Sequence, residues 1–339
     1  MNLVDKPSRL TFAVSYTTRD LNLGTDIQRA IQCLTNGELV AIPTETVYGL
    51  AANAFNPQAV TAIYKAKDRP QFNPLIIHTH SIEQLEKWGL FVPEKMKQLA
   101  VHFSPGPLTY VIPKSETIPD IVTAGTNAVA VRIPNHPLTL ELLRSIDFPL
   151  AAPSANPSGF VSPTNAWHVN EQLGDKVEYI LNGGDCSVGV ESTIISFLEE
   201  TPSILRYGGL AIEDIEKVIG KVTLPAQGFI DNPVAPGQLA RHYATNHKLI
   251  VGDPRKYLND YAPERIGVIA FSSVYTEIPT NNQFVLSTNR NLDEAAQQLF
   301  AAMRNIDTLE IDVIIAETFP DKGLGRAIND RLKRASVTE

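Results

Sequence analysis

Between Asp26 and Ile42 the chain reads DIQRAIQCLTNGELVAI, and this stretch decides the fold class. Ile27, Ala30, Ile31 and Leu34 recur at the spacing of one helix face, with Thr25 as the expected N-cap and Gly37 as the stop. The apolar run Leu39 to Ile42 then reads as a buried strand. Working outward, the alternation repeats. Pro57 to Lys65 resumes a helical pattern through Val60, Ile63 and Tyr64, with Pro57 suited to the first turn. Leu75 to Ile77, Leu108 to Ile112, Ala128 to Ile133 and Tyr179 to Leu181 read as further strands. Ser192 to Phe197 and Ser203 to Tyr207 flank a Glu-Glu-Thr-Pro turn and read as a hairpin. Helices mixed with parallel and paired strands predict an α/β domain built on a mixed sheet.

From Leu224 to Asn246 neither periodicity holds, and Pro225, Gly228, Pro233, Pro236 and Gly237 mark a linker. A second α/β pattern follows, with strands at Leu249–Val251, Ile266–Phe271, Gln283–Leu286 and Val313–Ala316. Leu292, Ala295, Ala296, Leu299, Phe300 and Met303 share one helix face, and Asn291 with Glu294 has capping-box spacing. The expected division is residues 1–223, a linker over 224–246, and a small Rossmann-like unit over 247–339 with a mainly parallel sheet. A length of 339 residues fits about two domains at roughly 100–200 residues each.

Hydrophobic residues make up 43% of the chain and charged residues 19%, which excludes disorder and leaves enough apolar positions for two cores. No run approaches the roughly 18 apolar residues of a membrane span. The first residues show no basic segment followed by an apolar one, so no secretory signal is expected. Cys33 and Cys186 are the only cysteines and form no C-x-x-C pair, which argues against a disulfide framework or a cysteine zinc site. The expectation is a cytoplasmic protein with reduced thiols. Lys and Arg number 29 against 37 Asp and Glu, a net charge of −8, which disfavours non-specific coating of nucleic acid.

Several chemistries lack their motifs: there is no P-loop, no G-x-S-x-G and no H-E-x-x-H. His78 and His80 form H-x-H without a neighbouring cysteine or acid to complete a metal site. Gly323-Leu324-Gly325 is half a dinucleotide fingerprint, and helix capping explains it. Against the acidic background, Lys65, Lys67 and Arg69 crowd five residues where a helix runs into Pro70. The helix C-terminus explains some positive charge there, while three cations also suit an anion site. Three small-polar turns add to this: Pro43–Leu50, Ala152–Gly159 and Gly189–Thr193. Strand-end turns of that kind, beside the cations, predict a polar crevice for a nucleotide and a small polar partner.

At these residues the sequence resembles the YrdC-type family in its long, two-domain form. Lys67-Asp68-Arg69 matches the family's K-x-R signature and Ser154-Ala155-Asn156 its S-x-N signature. The runs Pro43–Leu50, Asn73–Leu75, Ser104–Thr109, Ala130–Pro134 and Gly189–Thr193 match in order. Ala235-Pro236-Gly237, Arg241-His242-Tyr243 and the segment from Gly323 to Leu332 resemble the long form. Asp68 stands where the family usually has Gly, and Tyr110 where it has an aliphatic residue. The resemblance implies a YrdC-like domain over 1–223 with a twisted mixed sheet and a concave crevice, and a lid over it from 224–246.

It also implies an activity: L-threonine, bicarbonate and ATP give L-threonylcarbamoyl-adenylate and pyrophosphate. The adenylate then serves threonylcarbamoylation of adenosine 37 in ANN-decoding tRNAs by a separate transferase. By resemblance Thr46, His78, Arg132, Ala152 and Ser192 surround threonine, with Arg132 matched to its carboxylate. Lys65, Lys67, Arg69, Asn73, Ser154, Asn156, Ser162, Arg206 and Tyr243 form the ATP shell, with Mg2+ accompanying the triphosphate. No protein nucleophile is expected, so positioning and charge neutralisation should dominate. An RNA-binding module is the rival from another class, and net charge disfavours it. A hydrogenase-maturation relative is a third reading, and it lacks its cysteine-rich zinc segments here.

Overall fold

The computed structural model describes residues 22–225, 235–236 and 242–337. Ten strands form the first sheet: β1 (Leu23–Gly24), β2 (Val40–Ile42), β3 (Gly49–Asn53), β4 (Ile76–His78), β5 (Leu108–Pro113), β6 (Ala128–Arg132), β7 (Leu150–Ala151), β8 (Tyr179–Leu181), β9 (Thr193–Ser196) and β10 (Ser203–Arg206). Their order is β1-β8-β2-β3-β7-β4-β6-β5-β9-β10. β4 and β6 run parallel, as do β5 and β9, whereas β5 and β6 pair antiparallel and β9 and β10 form the expected hairpin. The mixed sheet predicted from the alternation is present.

The opening helix spans Ile27–Thr35, and its cap differs from expectation. Asp26, rather than Thr25, accepts from the Gln28 and Arg29 amides at 2.9 and 3.2 Å. A carboxylate beside the positive helix end combines capping with charge compensation. Ala30, Cys33 and Leu34 are buried by this helix, and burying a leucine contributes roughly 1.5–3 kcal/mol. The next helix, Pro57–Lys67, ends on Asp68 in the left-handed conformation, φ 51°. That conformation explains why glycine is usual there, and aspartate is among the few side chains that tolerate it. β3 starts inside the Pro43–Leu50 run that reads as a turn in the sequence and continues past it. Its sequence, GLAAN, has no β-branched residue, so only its pairing with β2 and β7 makes it a strand.

The second sheet contains β11 (Lys248–Val251), β12 (Ile266–Ala270), β13 (Gln283–Val285) and β14 (Val313–Ala316) in the order β11-β14-β12-β13, all parallel. Every residue of β12 and β14 is buried, as expected of parallel strands covered on both faces. Helix Leu292–Ile306 packs on one face beside helix Gly325–Ala335. Asn291 caps the former through its side chain. Glu294 does not reach back directly: Ser287 donates to its carboxylate at 2.6 Å and accepts the Asn291 amide at 2.8 Å.

The two units share a core. Val47, Val161 and Val190 from the first join Leu299, Phe300, Met303 and Ile328 from the second. Gly189, at φ +77°, lies so close to the Gln297 backbone that a Cβ would approach to 2.5 Å. Arg326 pairs with Glu213 at 2.8 Å across the same seam. Of the linker, Ala235 and Tyr243 are described and buried, while Phe229, Leu239 and Arg241 lie outside the described residues. Cys33 and Cys186 are free and buried. Among the described residues no helix is long and apolar enough to cross a membrane.

Candidate active site

Strand register assembles the crevice. His78 ends β4 and Arg132 ends β6, and the two are directly paired across the parallel ladder. Thr109 of β5 pairs with Arg132 on its other side, and its hydroxyl meets that of Ser192 at 2.7 Å. β7 leads into Ala152, Pro153 and Ser154, and β10 ends on Arg206. All these groups except Thr109, which stands behind Ser192, line one cavity with Thr44, Val47, Gly49, Arg69, Ile76, Glu191, Pro236 and His242. Placement at strand ends follows the general rule for ligand sites in such sheets.

Arg132 is buried, and its Nη2 lies 2.8 Å from Glu45 Oε2. This ion pair lacks hydrogen-bond geometry, so Arg132 Nη2 and both Glu45 oxygens stay without a hydrogen-bond partner among the described residues. His78 Nδ1, Asn73 Oδ1, Asn156 Oδ1 and His242 Nδ1 are likewise buried and unbonded. Each such atom costs about 1–3 kcal/mol, and their concentration around one crevice marks a binding site. Burial, reinforced by the Arg132 charge, pushes His78 down to about 3. It is therefore a neutral imidazole at physiological pH.

The cations hold carbonyls. Lys67 Nζ donates to the Ser154 and Asn156 carbonyls. Arg69 donates to the Asn73 and Pro74 carbonyls at 3.2 and 3.0 Å. Arg206 reaches the Ser192 carbonyl at 2.9 and 3.1 Å and the Pro236 carbonyl at 3.3 Å. Gly208 permits this approach, because a Cβ there would meet the Ser192 carbonyl carbon at 2.3 Å. Burial lowers Arg69 and Arg206 to about 10, and burial beside Arg69 lowers Lys67 well below its ordinary value. Burial would raise Glu191, but Arg331, Arg206 and Ser162 together hold it at about 2.

His78, Arg132, Ala152, Ser192, Arg69, Ser154 and Arg206 therefore meet in one cavity. Thr46, Lys67, Asn73 and Ser162 stand one bond behind it, and Asn156 one bond further, through Lys67. Thr46 bonds the Thr44 hydroxyl at 2.9 Å, and Ser162 bonds Glu191 at 2.6 Å. Two expected residues lie apart. Lys65 is exposed on its helix, where solvation explains it. Tyr243 is buried against Phe300, with ring centroids 5.3 Å apart, and does not line the cavity. Its neighbour His242 does. Glu45, Glu191 and His242 were not singled out from the sequence, although each sits inside a run that was.

A family model described as telomere recombination, the Sua5/YciO/YrdC domain, matches residues 32–208. A second, described as threonylcarbamoyl-AMP synthase, C-terminal domain, matches residues 210–337. Threonylcarbamoyl-AMP synthase of Pyrococcus abyssi is 44% identical over 91% of this chain and 94% of its own length. That of Bacillus subtilis is 42% identical over 91% and 92%. The crystal structure of P. abyssi Sua5 complexed with L-threonine superposes with a TM-score of 0.85, at 44% identity, covering 91% of this chain and 94% of that one. The chain thus belongs to the Sua5/YciO/YrdC family, in the form that carries the threonylcarbamoyl-AMP synthase C-terminal domain.

Proposed function

We propose that the chain is a nucleotidyltransferase that makes L-threonylcarbamoyl-adenylate from L-threonine, bicarbonate and ATP, for modification of adenosine 37 in ANN-decoding tRNAs. One observation carries the reading: Arg132 and His78 stand side by side in the crevice that also receives Arg69 and Arg206. The relatives named for this reaction match the chain almost end to end, and the P. abyssi neighbour was solved with L-threonine.

In this mechanism Arg132 takes the threonine carboxylate as a charge-assisted pair, offsetting its contact with Glu45. Neutral His78, with Thr46, Ala152 and Ser192 around it, receives the hydroxyl and amine. The amine forms a bond to the bicarbonate carbon, and water leaves to give a carbamate. A carbamate oxygen then bonds to the α-phosphorus as the bond to the bridging oxygen breaks and pyrophosphate departs. Lys67, Arg69 and Arg206 neutralise charge on the phosphates, with Asn73, Ser154, Asn156 and Ser162 fixing the surrounding loops.

Magnesium would neutralise the triphosphate further. The donor set does not fit a protein-held ion: Glu191 is the carboxylate that lines the cavity, and Ser162 and Arg331 occupy it. Among the described residues no cluster of three His, Cys, Asp or Glu could cage a metal. The ion would travel with ATP and water. The product passes to a separate tRNA transferase in the cytoplasm. An acidic chain of net charge −8 suits catalysis on small molecules better than stable RNA binding.

Pyrophosphate release, measured with ATP, bicarbonate and single amino acids, tests the reading. Release should require both threonine and bicarbonate. Valine should be rejected more strongly than serine, because a hydroxyl-reading site left unpaired loses more than a methyl contact. Equal turnover of valine and threonine would overturn it.

A further inference from the structure

A second cavity, of about 600 Å³, lies in the C-terminal unit, where all four parallel strands end. Gly252 and Asp253 follow β11, Phe271 to Ser273 follow β12, Arg290 lies beyond β13, and Glu317 to Pro320 follow β14. None of these residues lines the catalytic crevice. We propose that this cavity binds a nucleotide.

Three features define the ligand. The cationic feature is Arg290, whose guanidinium makes no ion pair or hydrogen bond among the described residues and lies 6.0 Å from the Phe271 ring centroid. Its backbone is left-handed, φ +57°, a conformation that costs an arginine and places the side chain at the cavity. A fork-shaped cation of this kind takes a phosphate in a bidentate grip. The apolar feature is the pair Phe271 and Phe319, with centroids 5.1 Å apart and both buried, which offers a base an aromatic wall. The acidic feature is Glu317, directly after β14, with Asp253 two residues beyond β11.

Glu317 is held in place by the Tyr275 hydroxyl and the Phe271 amide, one on each oxygen. Each oxygen keeps a lone pair for another donor. An acid at a strand end, opposite a phosphate-binding group, is how parallel sheets take ribose hydroxyls. The volume also decides between candidates. A free amino acid would satisfy one cation and one acid but leave the aromatic wall uncovered, whereas a nucleotide is large enough to reach all three features.

Calorimetry of AMP binding to the full-length chain tests the proposal. The binding event assigned to this cavity should weaken at least tenfold in Arg290→Gly, which keeps the left-handed backbone, and in Ser273→Asp, which places a negative charge at the rim. Arg69→Ala, in the other crevice, should retain it. Adenosine and inorganic phosphate alone should each bind more weakly than AMP. AMP binding unchanged in both Arg290→Gly and Ser273→Asp would overturn the site. Phosphate binding as tightly as AMP, and lost in Arg290→Gly, would make it an anion site and overturn the nucleotide.

Discussion

Arg331, on the last helix, donates from Nε and Nη2 to one carboxylate oxygen of Glu191, at 3.1 and 3.0 Å. Glu191 lines the catalytic crevice, so a fully buried arginine of the C-terminal unit holds a wall of the site in the other unit. The second Glu191 oxygen accepts from Ser162. Arg331 also faces the Tyr243 ring, with its guanidinium carbon 5.6 Å from the centroid.

Removing one partner strands a buried charge. Arg331→Met should destabilise the chain by about 3–5 kcal/mol, and adding Glu191→Gln should restore part of that loss. Urea denaturation midpoints of the parent, single and double variants measure both effects. A double variant no more stable than Arg331→Met would contradict the pairing.

Acid should act through the same residue. Glu191 sits at about 2 in the fold against 4.5 ordinarily, so its contribution is present above pH 4.5 and lost as pH falls towards 2. His78 and His242 are held at about 3 against 6.5, so the unfolded chain binds more protons between those values. Both effects have the same sign. Stability should fall steadily as pH drops below 6.5, and Arg331→Met should flatten the part below 4.5. Denaturation midpoints across pH 3–8 show this, and a stability maximum near pH 4 would refute it.

Arg69 presents its guanidinium to the crevice while bonding two carbonyls. Arg69→Ala should weaken ATP binding by about 1.5–3 kcal/mol, the range for hydrogen bonds to charged groups. Titration calorimetry gives the value directly. An affinity equal to the parent's would remove Arg69 from the phosphate site.

The catalytic cavity bounded by Pro236 and His242 is only about 50 Å³, far below the roughly 300–1,000 Å³ of ligand pockets. Pro236 and His242, the linker residues on its wall, are expected to shift when ATP and threonine bind. The Ala244 amide, bonded to the Gly159 carbonyl at 2.8 Å, should change its hydrogen exchange when both substrates bind. Equal exchange across residues 235–246 with and without substrates would leave the linker out of the cycle.

Dense local signals were legible in the sequence. Lys67-Asp68-Arg69 stood out as a cationic cluster, and the structure buries both cations beside the crevice, while Asn291 with Glu294 announced a helix start. What escaped depends on distance along the chain or on a single dihedral angle. Arg331 and Glu191 are 140 residues apart, and neither position shows a pattern that names the other. Glu45 was hidden inside a turn whose fold only the β2–β3 pairing defines. The family resemblance points to Tyr243 for the crevice, yet Tyr243 is left-handed at φ +65°, and the chain turns its ring into the core while His242 lines the cavity. Lys65 and Lys67 part for a simpler reason: cations two residues apart on a helix face different directions, so Lys65 meets solvent while Lys67 is buried.

In the proposed reaction one crevice joins threonine, a one-carbon unit and AMP. Mass spectrometry of the adenylate formed from ATP, threonine and 13C-bicarbonate tests it directly. The adenylate should be one mass unit heavier than that from unlabelled bicarbonate, and none should form with valine or without bicarbonate. An unlabelled threonyl-adenylate would contradict it.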